Sequence, residues 1–422
     1  MKWRALGVTV LFWPILWPTV ARAEEPAAGD GLTPFPAAAT TPASELKKDP
    51  VPFSWRTVTG WKDLGAKIDV GGYLQPTFQL VSIDSALPRD KTQYGARGTR
   101  AGFVAYGTPL EKFTYVAHIV IAPAGVEDIA LLSPTASSNI GFSLPTGAST
   151  AVYVEEASLS YHAAESVLLK AGLMHLPFSL GQTTPIPEQM LPFRPPQTGE
   201  FQSGDDAALL ATYRPFDAKL TINAGAFLGT SFGSPDPNQT VRGPSLLGGV
   251  TAQPLGEMST QEGDTNRGPL RLAFGVAATY RRATSFDLTG YEASKFDDVR
   301  FTGWARVAAH GFYAQAEYLR RNRTDDLSGR PDKSEGYYAA ASYFQPIGKI
   351  GIGPVMRAGS IKTSADFDPR RFTSFEAGLA FYPRATEDEP ERLRLVVEYF
   401  YAHVSPLDET QHEGVVQLQL EF

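Results

Sequence analysis

The sequence predicts an all-β fold: a transmembrane antiparallel β-barrel of about sixteen strands, the class whose lipid-facing and lumen-facing residues alternate along each strand. Three observations carry that expectation. Stretches of roughly ten residues repeat along most of the chain with a period of two, each followed by turn residues, and the apolar positions do not recur at helical spacing. Beyond the N-terminal segment no apolar run approaches the ~18 residues of a membrane-spanning helix, and the mean hydropathy of -0.17 is that of a polar chain. Aromatic residues nonetheless make up 11% of the 422 residues, a usage that suits aromatic girdles at two membrane interfaces.

The N-terminus reads as an export signal. Lys2 and Arg4 form a basic start, Leu6 to Val20 an apolar core broken by Pro14 and Pro18, and Ala21-Arg22-Ala23 the small-x-small pattern of a cleavage site. Residues 1–23 are therefore expected to be a signal peptide cut after Ala23, leaving Glu24 first. The chain has no cysteine, which removes a lipoprotein anchor, a disulfide framework, Cys-ligated metals and a Cys nucleophile. Residues 24–64 are rich in Ala, Pro and Thr and are expected to form a mostly disordered periplasmic linker. Residues 65–422 are expected to form the barrel.

Within that region the last segment is the clearest. Val416, Leu418, Leu420 and Phe422 share one face and Gln417, Gln419 and Glu421 the other. A strand of this pattern ending on an aromatic residue resembles the signal read by the barrel assembly machinery, so Phe422 is assigned as the assembly signal. Upstream, Phe301, Ala305 and Val307 alternate with Arg300, Thr302 and Arg306, and Leu395, Val397 and Tyr399 with Arg392, Arg394 and Glu398. A mid-strand arginine facing lipid would cost roughly 2–4 kcal/mol, so these faces are expected to line water. Short connections fall at Gly107 to Glu111, His162 to Glu165, Arg214 to Asp217 and Gln345 to Lys349; long ones run from Pro123 to Thr150, Leu176 to Asp205 and Asn322 to Lys333. Only about fifteen strands are evident, yet bacterial barrels are even-numbered. Counting inward from both ends leaves one strand missing between 218–230 and 270–282, and Ser245 to Gly256 is the segment available to supply it.

Strand parity assigns Lys67, Arg100, Lys170, Lys219, Arg271, Arg300, Arg306, Arg357, Arg392 and Arg394 to the lumen, with Asp69, Glu317, Glu376 and Glu398. That is about ten bases against four or five acids, subject to the rule that a one-residue slip flips a strand's whole set. Two readings stay open: a selectivity-setting lining, or a ladder of Arg–carboxylate pairs that holds the wall. The net charge of -7 argues against a nucleic-acid partner. No two of the six histidines have the spacing of a metal-ligand pair, and no P-loop is present. His118 with Ser158 or Ser160 could be imagined as a base and nucleophile, with a lumen or interface histidine the plainer reading. The expectation is no enzyme activity, no metal and no cofactor.

Several segments resemble the phosphate-selective porin O and P family: Gly95 to Ala122, an Arg-containing strand and hairpin; Val152 to Gln182, with Gly172, Pro177 and Phe178 in the family's Gly-x-x-x-x-Pro-Phe arrangement; Leu191 to Tyr213; and Gly248 to Gly256. The resemblance implies a sixteen-stranded pore constricted by an inward-folded third external loop, outer-membrane lipid around it, small anions or other small solutes as cargo, and a homotrimer. The constriction loop would carry Pro177, Phe178, Glu188, Arg194 and Glu200. The family's phosphate-specific members have a lysine cluster there; here Arg194 stands alone beside Glu188, Glu200, Asp205 and Asp206. The expected function is a weakly anion-preferring porin for passive diffusion, the alternative a non-conducting structural or adhesive barrel.

Overall fold

A computed structural model describes residues 57–58, 67–84, 92–96, 100–110, 112–123, 150–201, 205–216, 219–229, 241–286, 292–326, 331–364, 370–383 and 392–422. The expected signal peptide, the cleavage position Ala23, most of the linker and most of the connection from Pro123 to Thr150 lie outside these residues.

The period-two alternation yields sixteen antiparallel strands that close on themselves. β1 comprises Lys67–Gln75 and Thr77–Asp84, interrupted at Pro76, which has no N–H to give a ladder. β2 is Thr92–Ala96 with Arg100–Leu110, β3 Phe113–Pro123, β4 Thr150–Ala164 and β5 Val167–His175. β6 is Asp205–Tyr213, β7 Leu220–Phe227, β8 Val241–Arg242 with Ser245–Ala252, and β9 Arg271–Phe286. β10 is Glu292–Ala309, β11 Phe312–Asp325, β12 Pro331–Tyr343 and β13 Ile350–Ser364. β14 is Arg370–Tyr382, β15 Leu393–Ser405 and β16 Glu409–Glu421.

The strand expected from parity is present. β8 pairs with β7, Leu220 opposite Ala252 and Phe227 opposite Ser245, and with β9, Ala252 opposite Phe274. The barrel closes where β16 meets β1, with Tyr73 opposite Glu421 and Thr410 opposite Asp84. Phe422 completes that seam: its N–H donates to Gly72 O and its carbonyl accepts from Gly72 N, both at 3.0 Å. A Cβ at position 72 would stand 2.7 Å from the Phe422 ring, so the seam needs glycine there. The two-residue stretch Thr57–Val58 pairs with Ile68 and Asp69 on β1.

The two rims differ as expected. On one rim the strands are joined tightly. His310 and Gly311 form a two-residue hairpin with both φ positive, 52° and 96°, the primed geometry that matches strand twist. The expected turn at Gly107 to Glu111 is displaced: the β2–β3 ladder runs on through a bulge until Leu110 faces Phe113. Similarly, β11 and β12 extend into the connection expected from Asn322 to Lys333. Among the fully described connections on this rim, 253–270, between β8 and β9, departs from the pattern and is long.

The faces are inverted relative to a water-soluble protein. On β10, Val299 and Phe301 are exposed, whereas Asp298, Arg300, Thr302 and Arg306 are buried. β16 repeats this, with Val416, Leu418 and Leu420 exposed and Glu413, Gln417 and Gln419 buried. Apolar side chains can stand on the outside only if lipid surrounds the wall. Exposed Tyr161, Tyr213, Phe312 and Tyr343 lie towards the short-turn rim, and Phe78, Tyr280 and Phe375 towards the other. They form the expected girdles.

Candidate functional site: the barrel interior and segment 176–201

Segment 176–201 leaves β5 at the long-loop rim. Its local order comes from short-range chemistry: Ser179 caps the turn Leu180–Thr183, its Oγ accepting from Gln182 N at 3.0 Å, as N-cap serines do. Pro185 and Pro187 fix the backbone around a 3-10 turn, Ile186–Glu188, and Pro196 starts a last helical turn, Pro196–Phe201. Phe178 and Phe201 are almost fully buried, in an apolar cluster with Met174, Leu176, Leu319 and Phe372. Pro177 is partly exposed, and Glu188 is buried. The side chain of Glu200 lies outside what is described.

The segment is bonded to the polar faces of β10–β16. Near its start, Leu180 N and Gly181 N donate to Glu317 of β11 at 2.8 and 3.3 Å; the same carboxylate accepts from Thr302 at 2.8 Å and Tyr338 at 2.9 Å. At the far end of its course, Pro187 O accepts from Gln419 of β16 at 2.9 Å and from Arg394 of β15 at 3.4 Å. On the return, Phe193 O accepts from Arg357 of β13 at 2.9 Å, Gln197 donates to Ser374 of β14 at 3.1 Å, and Phe201 O accepts from Arg300 of β10 at 2.8 Å. Backbone carbonyls that would otherwise be unsatisfied are thus met by wall guanidinium groups.

The strand residues singled out by parity sort into distinct surroundings. Arg300, Arg306, Arg357 and Arg394 are buried on the inner face. Arg357 also pairs with Glu376, directly opposite it on β14. Arg300 pairs with Asp298 at 2.7 Å, and Arg321 reaches the same carboxylate at 3.3 Å. Arg306 donates to Ser259 O at 2.9 Å, and Arg271 pairs with Asp264. Lys170 is half-buried and pairs with Glu156 at 2.5 Å. Arg100 begins its stretch of β2, Arg392 precedes β15, and Lys219 lies exposed in the turn before β7. The Lys67 side chain lies outside what is described. Of the acids, Asp69, Glu317, Glu376 and Glu398 are all buried.

Several inner-face arginines escaped the sequence reading, Arg281, Arg321 and Arg370 among them. Arg321 is one of Asp298's partners, and Arg281 donates to Gly229 O at 2.8 Å and Gly243 O at 3.2 Å. Arg281 also lies within electrostatic reach of Arg300, Arg321, Asp298 and Asp206. Three guanidinium groups therefore gather around two carboxylates. Arg281 and Arg321 lie within the expected strands, in phase with Arg271 and Glu317, so the period-two signal already points both inward. Arg194, on segment 176–201, shares an enclosed Nε without a hydrogen bond with Arg306 and Arg394, and differs from them in that its Nη2 is also enclosed without a hydrogen bond.

The histidines meet in a way their spacing could not show. A bulge in β4 opposite His118 and Ile119 brings Glu155 and Glu156 to neighbouring inner positions. Glu155 bridges His118 at 2.9 Å and His175 at 3.0 Å, and His175 also contacts Asp205, so the chain is tied together where segment 176–201 leaves and rejoins the wall. His118 thus faces a carboxylate, and Ser158 Oγ donates to Glu156 at 2.6 Å. Among the described residues no group of three or more His, Asp or Glu is arranged to hold a metal ion.

Comparison with solved structures finds the same architecture at low identity. An anion-selective porin from Comamonas acidovorans is similar with a TM-score of 0.53 at 12% identity, over 85% of this chain and 100% of that one. The outer membrane channel DcaP of Acinetobacter baumannii is similar with a TM-score of 0.52 at 13% identity, over 85% and 98%. OmpT of Vibrio cholerae in its trimer form is similar with a TM-score of 0.52 at 11% identity, over 85% and 99%. A comparison with curated proteins gives no match. The profile of the family described as phosphate-selective porin O and P matches residues 132–422. With its closed wall, polar interior and lipid-facing exterior, the chain belongs to the phosphate-selective porin O and P family and is an outer-membrane channel.

Proposed function

We propose that this channel passes small solutes by diffusion with a weak preference for anions, and that segment 176–201 is its inward-folded constriction loop. The observation that carries the reading is Arg194. Wall arginines such as Arg357 and Arg300 already serve carboxylates and loop carbonyls, so they hold the loop and add little to recognition. Arg194 sits on the loop itself with enclosed, unsatisfied donors. The residue as a whole is only partly buried, so the remainder of its guanidinium can meet a passing anion or water by a charge-assisted hydrogen bond. The group of Arg281, Arg300 and Arg321 around Asp298 and Asp206 adds a positive field at the loop's root. No lysine lies in 176–205, so a tight phosphate site is not expected.

In a salt gradient the reversal potential should lie on the anion side, and Arg194→Gln should bring it towards zero. A cation-selective native channel, or an Arg194→Gln channel with unchanged selectivity, would count against the proposal. Further readings complete it. The chain is exported by a signal peptide cleaved after Ala23, checked by finding Glu24 at the mature N-terminus. Phe422, paired with Gly72, is the handle for barrel assembly. The trimer form of the similar OmpT supports a homotrimer here, which would close in three equal current steps under voltage.

A further inference from the structure

The long connection 253–270 belongs to the rim whose other fully described connections are short, and it does not project away from the wall. Asp264 anchors its base: it pairs with Arg271 of β9 and accepts from Gly311 N at 2.7 Å and Gly268 N at 3.3 Å. Beyond that anchor, Arg306 of β10 donates to Ser259 O at 2.9 Å. Met258 is buried in an apolar cluster with Ala273, Ala308 and Tyr313 of the inner wall.

The far end of this connection meets segment 176–201. Glu262 N donates to Glu188 O at 2.9 Å, Met190 N donates to Glu262 Oε2 at 3.0 Å, and Thr260 Oγ1 donates to Glu188 Oε2 at 2.6 Å. The second oxygen of Glu262 accepts from Gln315 of β11 at 2.6 Å. Met190 and Leu191 join Met258 in the apolar cluster. Glu262 therefore links the wall, the connection and the tip of the other segment through one buried carboxylate. Each contact is repeated by a second of a different kind, backbone, side-chain and apolar.

We propose that 258–264 is a second constriction element: it rises from the periplasmic rim, holds the tip of the constriction loop from below, and sets the channel width jointly with it. The inference rests on reading the barrel as a conducting channel. Conduction through a narrow lumen depends on the residues at its tightest ring, and here that ring would be built from both rims.

The test uses the full-length protein in planar bilayers, taking only fractions that show the heat-modifiable mobility of a folded barrel. Replacing 257–263 by Gly-Ser-Gly, with Asp264 kept, should raise the unitary conductance about twofold, because it removes one side of the narrowest ring. Glu262→Ala, which leaves every strand intact, should add rapid current noise as the loop tip comes loose. Because the chain has no cysteine, Glu188→Cys with Thr260→Cys gives a third measurement: mild oxidation should consume both thiols. A native protein that does not conduct would remove the channel reading itself. A conducting native protein whose two variants keep its conductance and noise, or a double-cysteine protein whose thiols both stay titratable, would overturn the second constriction element.

Discussion

At the scale of single residues, the interior is organised by arginines that do structural work. Arg357 is 2% exposed and Glu376 1%, and the guanidinium also reaches Phe193 O. Arg357→Ala would leave a buried carboxylate without its partner, a change that costs ~3–5 kcal/mol, while replacing both residues by apolar ones of similar volume costs far less. The temperature at which the folded band disappears on a gel should therefore fall clearly for Arg357→Ala and recover for Arg357→Met with Glu376→Leu. An unchanged transition for the single variant would mean that the pair bears no load. Alternation alone places Arg300, Arg306, Arg357 and Arg394 inside, because a lipid-facing guanidinium is so costly. It could not show that Arg357 stands opposite Glu376, since register depends on where a neighbouring strand begins. Arg321 was hidden by Leu319, an apolar residue on the inner face that packs in the cluster with Phe178 and Phe201 and so blurs the polar stripe. Arg194 was legible as the loop's lone base; its lack of partners was not, because that is a property of the packed loop.

At the scale of elements, β8 shows how far counting reaches. Its sequence is rich in glycine and weakly alternating, yet an even-numbered barrel requires it, and Ser245–Ala252 pairs along its whole length on both sides. Val250 points out, 40% exposed, and its neighbour Thr251 points in. Val250→Lys should cost ~2–4 kcal/mol if that side chain sits near the bilayer midplane, giving less heat-modifiable barrel in the membrane fraction, while Thr251→Lys should be tolerated. The same gel tests Phe422→Asp, which is expected to lose assembled protein through the seam with Gly72. Equal yields for Val250→Lys and Thr251→Lys would contradict the assigned faces. Segment 176–201 could be read as a special loop because its prolines and Phe178 are unusual for solvent-exposed chain. Connection 253–270 could not: Gly256 to Gly268 has the composition of an ordinary surface loop, and nothing local marks Glu262 as a residue that bonds a backbone N–H from a segment 72 positions away.

At the scale of the molecule, the inverted faces, the closing seam and the paired interior describe a wall built for lipid outside and water inside. The apolar and polar residues average to a polar-looking hydropathy of -0.17, which is why no helix of the described chain is long and apolar enough to cross a membrane and why strand periodicity, rather than hydropathy, reveals the fold. The interior holds many buried carboxylates as well as arginines, so the proposed selectivity is expected to follow from local groups near the loop and not from the total charge of -7. The two segments that meet at Glu188 and Glu262 are the ones proposed to narrow the lumen. The most direct measurement of the central claim is the unitary conductance of the purified, folded protein in a planar bilayer. The account predicts discrete, long-lived current steps that scale with salt concentration; folded protein that inserts and gives no steps at any voltage would contradict it.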